Sequence, residues 1–189
     1  MFMPNEENKT IRCFLAVEIP NELKDKIASL AKELDIKGIK LVEPENIHVT
    51  LKFLGDVKED KINNIKERLR TVNFSNFNIK LHGVGVFPNE NYIKVVWVGC
   101  ESKELYILAK KINEALASEF KREEFTAHAT IARVKQKVEL HDFLEKHKND
   151  SFGEFVCTNF VLKQSELSRE GPKYTTLASF QFSVLGHEF

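Results

Sequence analysis

His48 and Thr50 stand two residues apart in Asn46-Ile47-His48-Val49-Thr50-Leu51-Lys52-Phe53-Leu54-Gly55. His128 and Thr130 repeat the spacing eighty residues later in His128-Ala129-Thr130-Ile131-Ala132-Arg133. Both stretches alternate as a β-strand does. Side chains two apart on a strand share a face, about 6.5–7 Å from one another, so each stretch sets an imidazole beside a hydroxyl. Imidazole is the side chain whose ordinary pKa lies nearest neutrality, and two of them facing across a cleft can act as general base and general acid. Two hydroxyls next to them can hold the non-bridging oxygens of a phosphate lying between the rings. That set suits in-line displacement at phosphorus without a metal: one imidazole deprotonates the nucleophile while the other protonates the leaving oxygen.

A single His-x-Thr is a weak motif, but two copies on strand-like stretches mark a site. Alternation in the first copy assigns Ile47, Val49, Leu51 and Phe53 to a core and puts Lys52 on the face of His48 and Thr50. Lys52, Arg12 and Arg133 are the candidate cations for charge developing on the phosphoryl oxygens. Strict alternation turns Arg133 away from His128, so its part requires a bend in the strand. Phe14 shares a face with Arg12 and reads either as core or as a platform for a base. A two-metal phosphoesterase would want carboxylates close to each histidine, and neither motif contains one. No nucleophile elbow is present, and Cys13, Cys100 and Cys157 lie in apolar strands without CxxC spacing. No metal and no cofactor is expected.

The remaining sequence must position these residues. Its 189 residues are 42% hydrophobic with 15 Phe, enough for a sizeable core, and the formal net charge is zero. Zero net charge argues against a basic face for a long duplex, while a local cluster of cations for a small phosphorylated ligand or an RNA end remains open. Met1 to Thr10 is a polar lead without a signal-peptide core, and no apolar run approaches membrane-spanning length. A cytoplasmic monomer without membrane attachment is expected.

Ile11 to Ile19 reads as a strand, and Leu23, Ile27, Leu30, Ala31 and Leu34 as the stripe of the helix after Pro20. The first His-x-Thr strand then runs to a stop at Gly55. A helix on Ile62, Ile65, Leu69 and Val72 follows, and then a hairpin of Phe77–Phe87 and Tyr92–Val98 about a turn at Pro88–Asn91. A helix on Leu105, Leu108, Ile112 and Leu116 leads into the second His-x-Thr strand. Another around Leu140, Phe143 and Leu144 precedes a strand from Phe155 to Leu162 and a closing strand from Tyr174 to Val184. Strand, helix, His-x-Thr strand thus occurs twice, with Val17 preceding His48 by the same interval as Trp97 precedes His128. Two similar lobes can then offer one His and one Thr each to a shared cleft.

The paired motifs resemble those of the 2H phosphoesterases. The fuller strings are similar to the RNA 2′,3′-cyclic phosphodiesterases once called 2′-5′ RNA ligases. Those strings are Arg12 to Pro20 (RCFLAVEIP), Pro44 to Gly55 (PENIHVTLKFLG), His128 to Val134 (HATIARV) and Gly171 to Tyr174 (GPKY). The resemblance covers nearly the whole chain after a ten-residue lead, as one domain over residues 1–189. It implies an α+β, bilobal, pseudo-two-fold LigT-like fold with two antiparallel sheets flanking a central cleft and helices outside. It also implies metal-independent opening of RNA 2′,3′-cyclic phosphate ends to 2′-phosphates, with the reverse 2′-5′ ligation as a side activity. His48 matches the donor to the 3′ oxygen, His128 the base, Thr50 and Thr130 the phosphate-binding hydroxyls, and Arg133 a basic position. Ala129 departs from the larger aliphatic usual there. Rival readings are a non-catalytic module binding nucleotides or RNA ends, and a phosphodiesterase acting on a small cyclic nucleotide.

Overall fold

The computed structural model describes residues 9–168 and 171–183, so most of the polar lead, Val184 and His187 lie outside the described residues. Among the described residues nine strands and four α-helices follow one another as β1 (Thr10–Glu18), α1 (Asn21–Ala31), β2 (Ile39–Leu41), β3 (His48–Lys58), α2 (Ile62–Arg70), β4 (Phe77–Asn89), β5 (Tyr92–Glu101), α3 (Lys103–Ala115), β6 (His128–Val134), α4 (His141–His147), β7 (Ser151–Cys157), β8 (Asn159–Leu167) and β9 (Pro172–Gln181). Between the named strands every pairing is antiparallel. Among the described residues no helix is long and apolar enough to cross a membrane.

The strand order is β7-β4-β5-β6-β3-β1-β8-β9, with β2 added to β6. The expected two sheets are the two four-stranded halves of this order. They join into one path at a single residue pair, Val49 opposite Ala129, both fully buried. A two-fold relation through that pair exchanges β3 with β6, β1 with β5, β8 with β4 and β9 with β7. It sets Val17, the partner of Val49, against Val98, the partner of Ala129. The equivalent of Trp97 is therefore Ala16, one residue off the interval that the sequence suggested, because each sits opposite a motif threonine.

The helices cross between the halves. Helix α1 follows β1 yet packs on β6 and β7, and α3 follows β5 yet packs on β3. Leu23 of α1 lies directly over Gly153 of β7. The predicted stripe Leu23, Ile27, Leu30, Ala31 and Leu34 is buried throughout, as are Leu105, Leu108, Ile112 and Leu116. Their apolar area fills one core shared by both halves.

Two departures from the expected boundaries matter for the site. Gly55 does not end its strand: its φ of 70° places it at a bulge opposite Cys13, and β3 continues to Lys58. The single strand expected over Phe155 to Leu162 is divided at Thr158, where the chain leaves β4 to pair with β1 instead.

Candidate active site

The crossing of β3 and β6 builds the site. Pairing centred on Val49 and Ala129 sends those two side chains into the core and turns His48, Thr50, His128 and Thr130 to the opposite face. All four line one cleft of about 1370 Å³, together with Arg12, Phe14 and Arg133.

The two imidazoles are held alike. His48 Nδ1 lies 2.7 Å from the Asn46 carbonyl oxygen, and His128 Nδ1 lies 2.7 Å from that of Thr126. A carbonyl only accepts, so each ring carries its hydrogen on Nδ1 when neutral, leaving the Nε2 lone pair for chemistry. In His48 that nitrogen is 3.0 Å from the Thr50 hydroxyl, which donates to it. Asn46 also ties down the wall, its amide donating to the Pro172 carbonyl at 3.0 Å.

Beyond the anchors the surroundings diverge. His48 stacks on Phe14 with ring centroids 4.9 Å apart and meets the edge of Tyr174 at 5.4 Å. Burial pushes its pKa down to about 4; the Asn46 hydrogen bond opposes this, and the charges of Lys163 and Lys24 add to it. His128 sits against Phe87 at 4.9 Å and Trp97 at 6.3 Å, and burial lowers its pKa as well. Glu18, the register partner of His48, is paired with Lys163 at 2.5 Å.

A second symmetric device sits one residue past each threonine. Ala16 faces Thr50 while Leu15 faces Lys52, so Leu51 is an extra residue. Trp97 faces Thr130 while Val96 faces Ala132, so Ile131 is extra in the same way. Each bulge reverses the alternation that follows it. Arg133 thereby turns into the cleft, which is the bend its part required. Its equivalent, Phe53, also lines the cleft and is 62% exposed rather than core.

Lys52 is a correction for the same reason. It is buried on the far side of β3, where its ammonium donates to Asn113 Oδ1 at 2.8 Å and to the Lys121 carbonyl at 2.6 Å. Phe14 lines the cleft but is only 3% exposed, so it supports His48 rather than offering a free face to a base. Arg12 lies in the cleft and is bound to Asp56 through two contacts of 3.1 and 3.3 Å. Sequence reasoning did not single out Phe53, Asn46 or Lys163. Phe53 was detectable as the residue eighty positions before Arg133, and Asn46 lies inside the quoted motif. Among the described residues no three His, Cys, Asp or Glu side chains are grouped as metal ligands.

The fold and this arrangement define a phosphoesterase-type catalyst built on an internal two-fold. A family model described as LigT like Phosphoesterase matches residues 17–97. An RNA 2′,3′-cyclic phosphodiesterase of Archaeoglobus fulgidus is 44% identical over 90% of this chain and all of its own, and that of Methanocaldococcus jannaschii 43% identical over 88% and 98%. A crystal structure of a Thermus thermophilus protein superposes with a TM-score of 0.79 at 27% identity, covering 90% of this chain and 97% of that one. Escherichia coli LigT in complex with 3′-AMP shares the fold at a TM-score of 0.78 and 22% identity over 93% and 99%. The chain belongs to the LigT-like phosphoesterase family and is a phosphoesterase.

Proposed function

We propose that the protein hydrolyses RNA 2′,3′-cyclic phosphate ends to 2′-phosphates by paired histidine catalysis, without a metal. The observation that carries the reading is one cleft holding two imidazoles with the same Nδ1 anchor, each with a threonine hydroxyl on its own strand. The phosphorus lies between the rings. His128 Nε2 takes a proton from water as the water oxygen bonds to phosphorus. The bond from phosphorus to O3′ breaks, and His48 Nε2 delivers a proton to that oxygen. Thr50, Thr130 and Arg133 hold the non-bridging oxygens. His48 is neutral in the resting cleft; the anionic phosphate raises its proton affinity, so with substrate bound Nε2 takes up a proton from solvent and the Thr50 hydroxyl turns from the ring to the phosphate. Phe53, exposed on the cleft floor, offers the face on which a base stacks. With a 5′-hydroxyl RNA end in place of water, the same displacement bonds O5′ to phosphorus as O3′ leaves and forms a 2′-5′ linkage. The curated relatives' name supports the substrate.

The test is incubation with an oligonucleotide 2′,3′-cyclic phosphate in the presence of a chelator. A 2′-phosphate product is expected, with His48→Ala and His128→Ala each lowering kcat by about 10²–10⁴ while still binding that product. A 3′-phosphate product, no turnover, or full activity in either variant would overturn the scheme.

A further inference from the structure

Charge in the cleft is unevenly distributed. Arg12 is held by Asp56 and Lys163 by Glu18. Lys40, Arg133, Lys135 and Lys173 also line the cleft, are all exposed, and have no ion pair among the described residues. Glu43 and Glu45 line it too, so among the described residues these four cations outnumber those two carboxylates by two.

The cations lie at one end. Because β3 and β6 are antiparallel where they cross, β3 leaves the histidines toward Phe53 and Asp56 while β6 leaves them the opposite way, toward Arg133 and Lys135. Lys40 is the register partner of Arg133, and Lys135 N donates to the Gly38 carbonyl at 2.7 Å. Lys40 also reaches the opposite wall, since a Cβ on Gly171 would stand 3.8 Å from its ammonium, two residues from Lys173. The histidines therefore sit between an aromatic arm whose charges cancel and a cationic arm lined from both walls. The cleft volume of about 1370 Å³ exceeds the roughly 300–1,000 Å³ that suffices for one small ligand.

Building on the function proposed above, we propose that the cationic arm is a binding track for the RNA chain on the 5′ side of the reacting nucleotide, with backbone phosphates held by Lys40, Lys135 and Lys173. A cyclic phosphate occupies the 3′ end, so the rest of the polymer leaves from the 5′ side. Arg133, nearest the histidines, serves the reacting phosphate, and the lysines beyond it serve the next ones. Lysine contacts of this kind are indifferent to sequence and sensitive to salt.

The experiment compares kcat/KM of the wild type and of Lys40→Ala/Lys135→Ala on a dinucleotide and a decanucleotide, both ending in the same 2′,3′-cyclic phosphate, over a salt series. For the wild type the decanucleotide is expected to be favoured about tenfold or more at low salt, with the advantage shrinking as salt rises. The double variant is expected to lose about ten times more on the decanucleotide than on the dinucleotide, and its log–log salt slope should flatten by about 1.4, at roughly 0.7 per lost single-strand contact. Equal kcat/KM for both lengths in the wild type, equal losses in the variant, or an unchanged slope overturns the track. If the wild type turns over neither substrate, the hydrolytic reading falls, and the track is judged by binding of a 2′-phosphorylated decanucleotide. Wild-type affinity in the double variant would then refute it.

Discussion

Lys52→Met separates a lysine that touches substrate from one that holds the scaffold. The side chain is 2% exposed, and its ammonium donates to Asn113 on α3 and to the carbonyl of Lys121 in the segment leading to β6. It thus ties the first His-x-Thr strand to the crossover that delivers the second. Each hydrogen bond from a charged donor is worth about 1.5–3 kcal/mol, and its loss leaves the buried Asn113 Oδ1 with only the longer contact from Glu123 N at 3.4 Å. Part is recovered because the ammonium no longer has to be desolvated, the cost that lowers its pKa. The net expectation is destabilisation of about 2–4 kcal/mol. At about 2–4 °C per kcal/mol for a chain of this size, Tm falls by about 5–15 °C. Thermal unfolding supplies Tm, and kcat/KM on a cyclic phosphate dinucleotide well below it should stay within about twofold, because Lys52 does not line the cleft. A variant with unchanged Tm and a loss of tenfold or more in kcat/KM would put the ammonium at the substrate and refute the bulge at Leu51.

The pH profile follows from the two lowered imidazole pKa values. The proposed scheme needs one proton shared by the pair, so kcat/KM should fall tenfold per unit above the higher free-enzyme pKa and below the lower one. Both are displaced downward from 6.5, His48 to about 4; the optimum therefore lies below pH 6.5, and an alkaline limb beginning above pH 7 would contradict the burial argument. Phe53→Ala removes an aromatic that is 62% exposed in the cleft, so stability should change by about 0.5 kcal/mol or less. KM for an oligonucleotide should rise about tenfold from lost stacking, and an unchanged KM with a large fall in Tm would return Phe53 to the core. Gly85→Ala would place a Cβ 2.3 Å from the Trp97 ring, which leans on His128. About 1–3 kcal/mol of stability should be lost by urea titration, with a fall in kcat larger than the rise in KM; wild-type behaviour in both would mean that Trp97 is free to move.

Periodicity carried the reading of the sequence far. The helical stripes of α1 and α3 were legible because burial selects their side chains directly. The positions around His48 and His128 followed from period two, which holds across the crossing at Val49 and Ala129. The reading failed one residue past each threonine, where a bulge adds Leu51 or Ile131. A bulge is a mismatch between two strands, so a single strand's alternation contains no trace of it. Lys52 and Phe53 exchanged faces for that reason alone, and Arg133 came into the cleft by the same step. The division at Thr158 was equally hidden, since no glycine or proline marks the change from β7 to β8.

Symmetry by itself would make a poor acid–base pair. A two-fold crossing with identical Nδ1 anchors gives two equivalent bases, whereas the displacement proposed above needs one ring that gives a proton and one that takes it. The inequality comes from residues that the repeat does not copy. Ala16 lies where Trp97 stands in the other half and packs with Phe14, Val161 and Tyr174, and of these Phe14 and Tyr174 box in His48. Glu18, Lys24 and Lys163 then act electrostatically on that ring, whereas at His128 burial lowers the pKa and only the Thr126 carbonyl opposes it. Glu18 is the only one of those three charges that favours the protonated ring, and Gly99 occupies its equivalent position opposite His128. Duplication therefore supplies the shared geometry, and the divergence of β1 from β5 gives the two histidines unequal proton affinities.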